Sequence, residues 1–171
     1  MWNDILWGQL GAAIDMLENA INVCPDDLWS DPSKKPAWPS KDVVGFWHVA
    51  YHTLFFLDLQ LSGSSEGFSP PPPFDLSELD PDGKLPERPY TKAEVQSYLR
   101  HCRDKCRSTI ASLTEEKARR ICVWGSFEAP FAELLLQSLR HVQHHAAQLN
   151  LLLRQNTGSA PKWVKRGTVV L

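Results

Sequence analysis

Five of the six histidines fall in two short windows, His48 to His52 and His141 to His145. In each window two imidazoles stand four residues apart: His48 with His52, and His141 with His145. On a helix that spacing puts their β-carbons about 6 Å apart on one face. Two rings so placed can converge on one divalent ion. A third from a facing helix completes three nitrogen ligands at about 2.0–2.1 Å and leaves a position open for water or substrate. A single inward histidine is ordinarily a hydrogen-bonded core residue, but two pairs on two central helices are not explained that way. Burying several imidazoles without partners costs free energy, and an ion removes that cost.

The residue types around the pairs narrow the chemistry. His141-Val142-Gln143-His144-His145 has the ligand spacing of a zincin helix but lacks the glutamate base. Asp58 and Glu133 share the helices of the two pairs, yet no spacing ties either to an ion, so a two-histidine, one-carboxylate iron site has the weaker signal. His144 shares a stripe with Glu133, Gln137 and Arg140, the wetter side of its helix, and reads as a surface residue.

The elements that must carry these residues are helices. Leu6, Leu10, Ala13, Leu17 and Ala20 draw one apolar stripe over residues 3–23, closed by Pro25. A second helix is expected from an N-cap at Ser40 to about Leu61, stopped by Ser62-Gly63. It is apolar on nearly every side, which places it centrally. Thr91-Lys92-Ala93-Glu94 has the form of a capping box and opens a third helix, with Val95, Tyr98 or Leu99, Cys102, Cys106, Thr109 or Ile110 and Leu113 inward. Thr114 starts a short charged turn through Arg120. The fourth helix begins near Pro130, tolerated in a first turn, and runs to Arg154 or Gln155. Two stripes put His141 and His145 on its inward half. Between the second and third helices, Ser64 to Pro89 holds seven of the thirteen prolines and is expected to be an ordered cover pinned by Phe68, Phe74, Leu76, Leu79 and Leu85. There is no alternating strand pattern, internal repeat or glycine-rich phosphate loop. The expectation is all-α: a four-helix bundle formed by one domain over residues 1–171, with a long proline-rich loop between helices 2 and 3.

Composition excludes several classes. A chain of 171 residues buries roughly 70% of its unfolded surface, so it folds without needing metal or disulfides. Cys24, Cys102, Cys106 and Cys122 form no Cys-x-x-Cys pair and read as small core residues. The formal charge of −2 gives no electrostatic case for nucleic acid or an anionic membrane. The basic residues between Arg100 and Arg120 are interleaved with Asp104, Glu115 and Glu116, as on a solvated face. The start of the chain lacks the basic region of a signal peptide, and Val43 to Leu57 is shorter than a membrane span. A soluble cytoplasmic protein is expected, with Trp2 and Trp7 as candidates for a homodimer contact.

The segment Leu139-Arg140-His141-Val142-Gln143-His144-His145-Ala146-Ala147-Gln148-Leu149 resembles the closing motif of the DinB/YfiT-like superfamily of metalloenzymes. His141, His145 and Gln148 match that motif; Ala146-Ala147 replace its frequent Arg-Gly. Tyr51-His52-Thr53-Leu54-Phe55-Phe56-Leu57-Asp58 resembles the segment carrying the family's other ligand. His48, followed by Val49-Ala50, also aligns there, and His52 is preferred, with His48 as auxiliary or alternative ligand. The Gly158 to Trp163 ending and the long loop fit one proline-rich branch.

The resemblance implies a four-helix bundle with a long crossover and a divalent ion (zinc, nickel, iron or manganese) held by three histidines. It further implies thiol S-transfer or isomerisation with a low-molecular-weight thiol, and in many relatives no assigned activity. Two functions follow. One is a metal-dependent transferase or hydrolase acting on a small molecule through His52, His141 and His145. The other is a non-catalytic metal-binding or stress-related bundle, favoured if His48 supplies a fourth ligand and closes the site.

Overall fold

A computed structural model describes residues 1–34, 44–124 and 127–168. Its order is α1 (Trp2–Val23), α2 (Asp26–Trp29), α3 (Phe46–Ser62), a 3-10 turn at Ser77–Leu79, α4 (Lys92–Ala111), α5 (Glu115–Arg119), β1 (Ile121–Trp124), β2 (Phe127–Pro130) and α6 (Phe131–Thr157). The protein is mostly helical. α1 and α3 each pack against both α4 and α6, so the core lies where these long helices face one another.

α1 buries the expected stripe, joined by Ile14 and Ile21. α3 starts at Phe46, while the predicted cap Ser40 lies outside the described residues. Gly45 caps it at φ 128°, a conformation L side chains rarely adopt, and an added Cβ would lie 3.3 Å from the Asp31 carbonyl oxygen. The Thr91 capping box forms as expected: the Glu94 amide donates to Thr91 Oγ1 at 3.2 Å, and the Thr91 amide donates to Glu94 Oε2 at 2.7 Å. Thr114 likewise caps α5. Pro130 is the N-cap of α6, which runs past the expected end to Thr157, where Gly158 closes it in the left-handed region.

Three short elements depart from the sequence reading. α2 is one turn behind Pro25, too short for periodicity to show. β1 and β2 form an antiparallel pair with Cys122 opposite Ala129. These two are buried, while Ile121 and Val123 are exposed. Outward Ile121 and Val123 hide the strand alternation in the sequence. The local signal was Gly125-Ser126 between two apolar runs.

The chain after Gly158 crosses α1. The Gly167 amide donates to the Gly8 carbonyl at 2.8 Å, and the Thr168 amide to Asp15 Oδ2 at 3.0 Å. A Cβ on Gly167 would meet the Gly11 backbone at 2.7 Å, so the two backbones approach as closely as glycine permits. Asp15 also accepts from Arg103 Nη1 at 2.6 Å, tying this segment to α4 as well.

The four cysteines are free and buried. No described helix is long and apolar enough to cross a membrane. Trp2 is exposed, whereas Trp7 packs over Gly11 and under the Arg107 guanidinium.

Candidate metal centre

α3 is not uniformly buried. His52, Phe56 and Gln60 recur every four residues as its partly exposed stripe. That stripe faces α6: Ser138 Oγ donates to Gln60 Oε1 at 2.7 Å, and the Phe56 ring meets the His141 ring with centroids 5.8 Å apart. One turn nearer the start of α3, His52 meets His141 and His145. Of the predicted site residues, His52, His141 and His145 come together, each offering a ring nitrogen within 4.8 Å of the others. His48 lies outside this cluster.

The hydrogen bonds around the cluster decide which nitrogens face inward. His145 Nδ1 donates to Gln148 Oε1 at 2.7 Å, and His52 Nδ1 donates to Glu78 Oε2 at 2.7 Å. Their Nε2 atoms are left without protons. His141 Nε2 stands 3.3 Å from His52 Nε2 and 3.0 Å from His145 Nε2. One Nε2–H on His141 cannot serve both lone pairs well. The His141 Nδ1 is buried and has no hydrogen-bond partner among the described residues, so Nε2 is the ring nitrogen through which His141 meets the other two. Three converging Nε2 atoms with two Nδ1 protons anchored behind them are the donor set and tautomers a divalent ion requires. The residues present therefore fit a metal.

Electrostatics agree with neutral ligands. Burial, then the charges of neighbouring imidazoles, pushes His141 down to about 3. Burial also lowers His145, to about 4, against the opposing pull of Gln148. Glu78 is held down at about 2: burial alone would raise its pKa, but the hydrogen bonds from His48 and His52 outweigh it.

Glu78 is the residue sequence reasoning missed. It sits on the 3-10 turn of the proline-rich loop, and its other oxygen accepts from His48 Nε2 at 2.9 Å. His48 Nδ1 accepts from the Val44 amide at 3.4 Å, so both ring nitrogens of His48 are engaged. No spacing could have linked Glu78 to histidines 26 and 30 residues away. Asp58, on the same helix as His52, is spent elsewhere: it is buried and accepts from Lys105 Nζ at 2.5 Å and the Tyr98 hydroxyl at 3.0 Å. Glu133 and His144 are exposed.

Of the residues expected to pin the loop, Phe68 and Phe74 do so, and Leu76 and Leu79 do not. Phe74 is buried, stacked on Tyr98 and Tyr51, and the Tyr51 hydroxyl donates to the Asp75 carbonyl at 3.0 Å. Phe68 packs on the core, but Leu76 and Leu79, expected to pin the loop, stand 46% and 43% exposed. Aromatic stacking and a backbone hydrogen bond do the anchoring instead. Beside the cluster, a cavity of about 600 Å³ opens between Gln60, Gln137, Arg140, His141, Gln143 and His144.

The fold and this cluster define a mostly helical protein with a three-histidine site that could hold a metal ion. The DinB superfamily profile matches residues 9–149, and the chain belongs to that superfamily. The crystal structure of a DinB-like protein, YjoA, from Bacillus subtilis is similar with a TM-score of 0.54 at 15% identity, covering 95% of this chain and 96% of that one. At that identity the likeness concerns the fold. Comparison with curated protein sequences finds no match.

Proposed function

We propose that this chain is a divalent-metal-dependent enzyme built as a four-helix bundle, acting on a small molecule by thiol S-transfer or hydrolysis. His52, His141 and His145 are the proposed ligands. The observation that carries the reading is the convergence of three Nε2 atoms beside an open cavity. Structural zinc is normally closed by four protein ligands. The fourth histidine at hand, His48, has both ring nitrogens occupied, which favours an open site over a structural one.

A divalent ion held there supplies a Lewis acid that makes a water or a small thiol acidic enough to react near neutral pH. The chain's own residues do the rest. Glu78 and Gln148 hold the Nδ1 protons and keep Nε2 of His52 and His145 available. Arg140, Gln143 and His144 line the cavity where a polar reactant is received. The protein's own thiols are not candidate nucleophiles: all four are buried away from the cavity's opening to solvent, and burial pushes Cys24 and Cys106 up to about 12 and Cys102 well above its ordinary value. A thiol reaction must therefore take its thiol from solution.

The test is metal analysis of protein purified without an affinity tag, then a screen of small thiols with electrophiles and of hydrolysable small molecules. One ion per chain, lost in His52→Ala and His145→Ala, is expected. Protein that carries no ion, with uptake unchanged in both variants, overturns the reading.

A further inference from the structure

We infer that Glu78 is the positioning residue of the metal centre, and that through it the proline-rich loop and the ion are coupled, each favouring the ordered state of the other. The inference rests on the metal-binding reading above. A histidine ligand needs its second ring nitrogen held if the first is to stay aimed at an ion, and a carboxylate is the strongest neutral-pH acceptor for that purpose. Glu78 Oε2 accepts the hydrogen bond from His52 Nδ1–H, which turns His52 Nε2 toward His141. Its Oε1 accepts the hydrogen bond from His48 Nε2–H, so α3 grips both carboxylate oxygens.

The loop inverts the usual burial order to make this contact. Leu76 and Leu79 are exposed, whereas the Glu78 side chain between them is only 10% exposed. Packing alone would bury the leucines and leave the acid in water. The turn is placed by anchors just before it: Phe74 stacked among Tyr51, Tyr90 and Tyr98, and the Asp75 carbonyl on the Tyr51 hydroxyl. The buried negative charge also lies one imidazole away from where a cation would sit among neutral ligands. His48, engaged on both nitrogens, acts as the second anchor of Glu78. Because binding free energies are reciprocal, whatever ion affinity Glu78 adds must return as loop order when the ion binds.

The test measures zinc affinity by competition against a chelator in wild type, Glu78→Gln, Glu78→Ala and the exposed loop control Glu87→Gln. A 10–100-fold loss is expected for Glu78→Ala, a smaller loss for Glu78→Gln and none for Glu87→Gln. His48→Gln, which removes a partner of Glu78 and none of the three proposed ligands, is expected to weaken zinc in the same sense and carries the test if Glu78→Ala does not fold. The second readout is tryptic cleavage after the exposed Lys84, which zinc should slow in wild type but not in Glu78→Ala. Wild-type zinc affinity in the Glu78 and His48 variants, or equal zinc protection of Lys84 in wild type and Glu78→Ala, overturns the inference. Wild-type protein that binds no zinc, or binds it unchanged in His52→Ala, overturns the metal reading itself and this inference with it.

Discussion

Acidifying the metal-free protein is expected to destabilise it well above the pH at which ordinary carboxylates protonate. His141 and His145 titrate near 6.5 when unfolded but near 3 and 4 in the fold. Between those values the unfolded chain holds more protons, so acidification favours it; the stability is fully present above 6.5 and is lost as pH falls. A full shift on both rings amounts to about 4 kcal/mol between pH 6.5 and 4.5. Water reaching His141 from the cavity reduces this to about 3 kcal/mol, a large share of a typical domain's stability. Below 4.5 Glu78, held near 2 when folded, adds a loss of the same sign. The assay is urea unfolding with a chelator present, at half-unit steps from pH 7.5 to 4.5. His145→Gln should lower the slope by about half. A midpoint that is flat, or that rises on acidification, refutes the reasoning and means the imidazoles share a bound proton instead of facing one another neutral.

Other perturbations separate the site from its scaffold. His145→Ala should lower zinc affinity by more than ~100-fold, beyond the effect of outer partners, with little change in far-ultraviolet dichroism. Phe74→Ala removes a buried ring stacked on Tyr98 and should cost about 3 kcal/mol in urea unfolding while speeding cleavage after Lys84. Asp58→Asn removes the buried charge under Lys105, leaving its ammonium on the Asp58 carbonyl and the Ser62 hydroxyl, and should cost about 2 kcal/mol in the same assay with zinc affinity unchanged. Gly167→Ala forces the C-terminal segment off Gly11, so the Thr168 amide, bonded to Asp15, should lose hydrogen-exchange protection.

The three histidines that come together were legible because each inward pair obeys a local rule. His141 and His145 lie one turn apart on a strongly periodic helix, and His52 sits in a run too apolar to be anything but central. Helical phase alone did not decide which of His48 and His52 faces α6; the family resemblance preferred His52, and His52 is the one in the cluster. Both are inward enough to qualify, and the choice depends on where Glu78 arrives from a segment with no periodicity. Leu76 and Leu79 misled for the same reason: apolar residues mark burial on average, but here the turn is placed by Phe74 and Asp75 before it. The Thr91 box was readable because both halves of its hydrogen bonding are within four residues. α2 and the strand pair were not, since each is about one turn or one hairpin arm long and its partners are distant in sequence.

The partly wet stripe of α3 bears on kinetics. Most of that helix is buried against α4 and α6, so its amides should exchange only when the whole molecule opens. The turn bearing Glu78 belongs to the fast end of the same scale, exposed on both sides and held by a few contacts. His52, the proposed ligand, is fixed on the slowest element and oriented from one of the fastest, which would give two clocks to a single centre. Ion release would then follow local opening of the loop, on the microsecond-to-second scale of such events, and not the rare global opening of the helices. Metal exchange measured in native buffer and amide exchange along α3 should therefore differ by orders of magnitude.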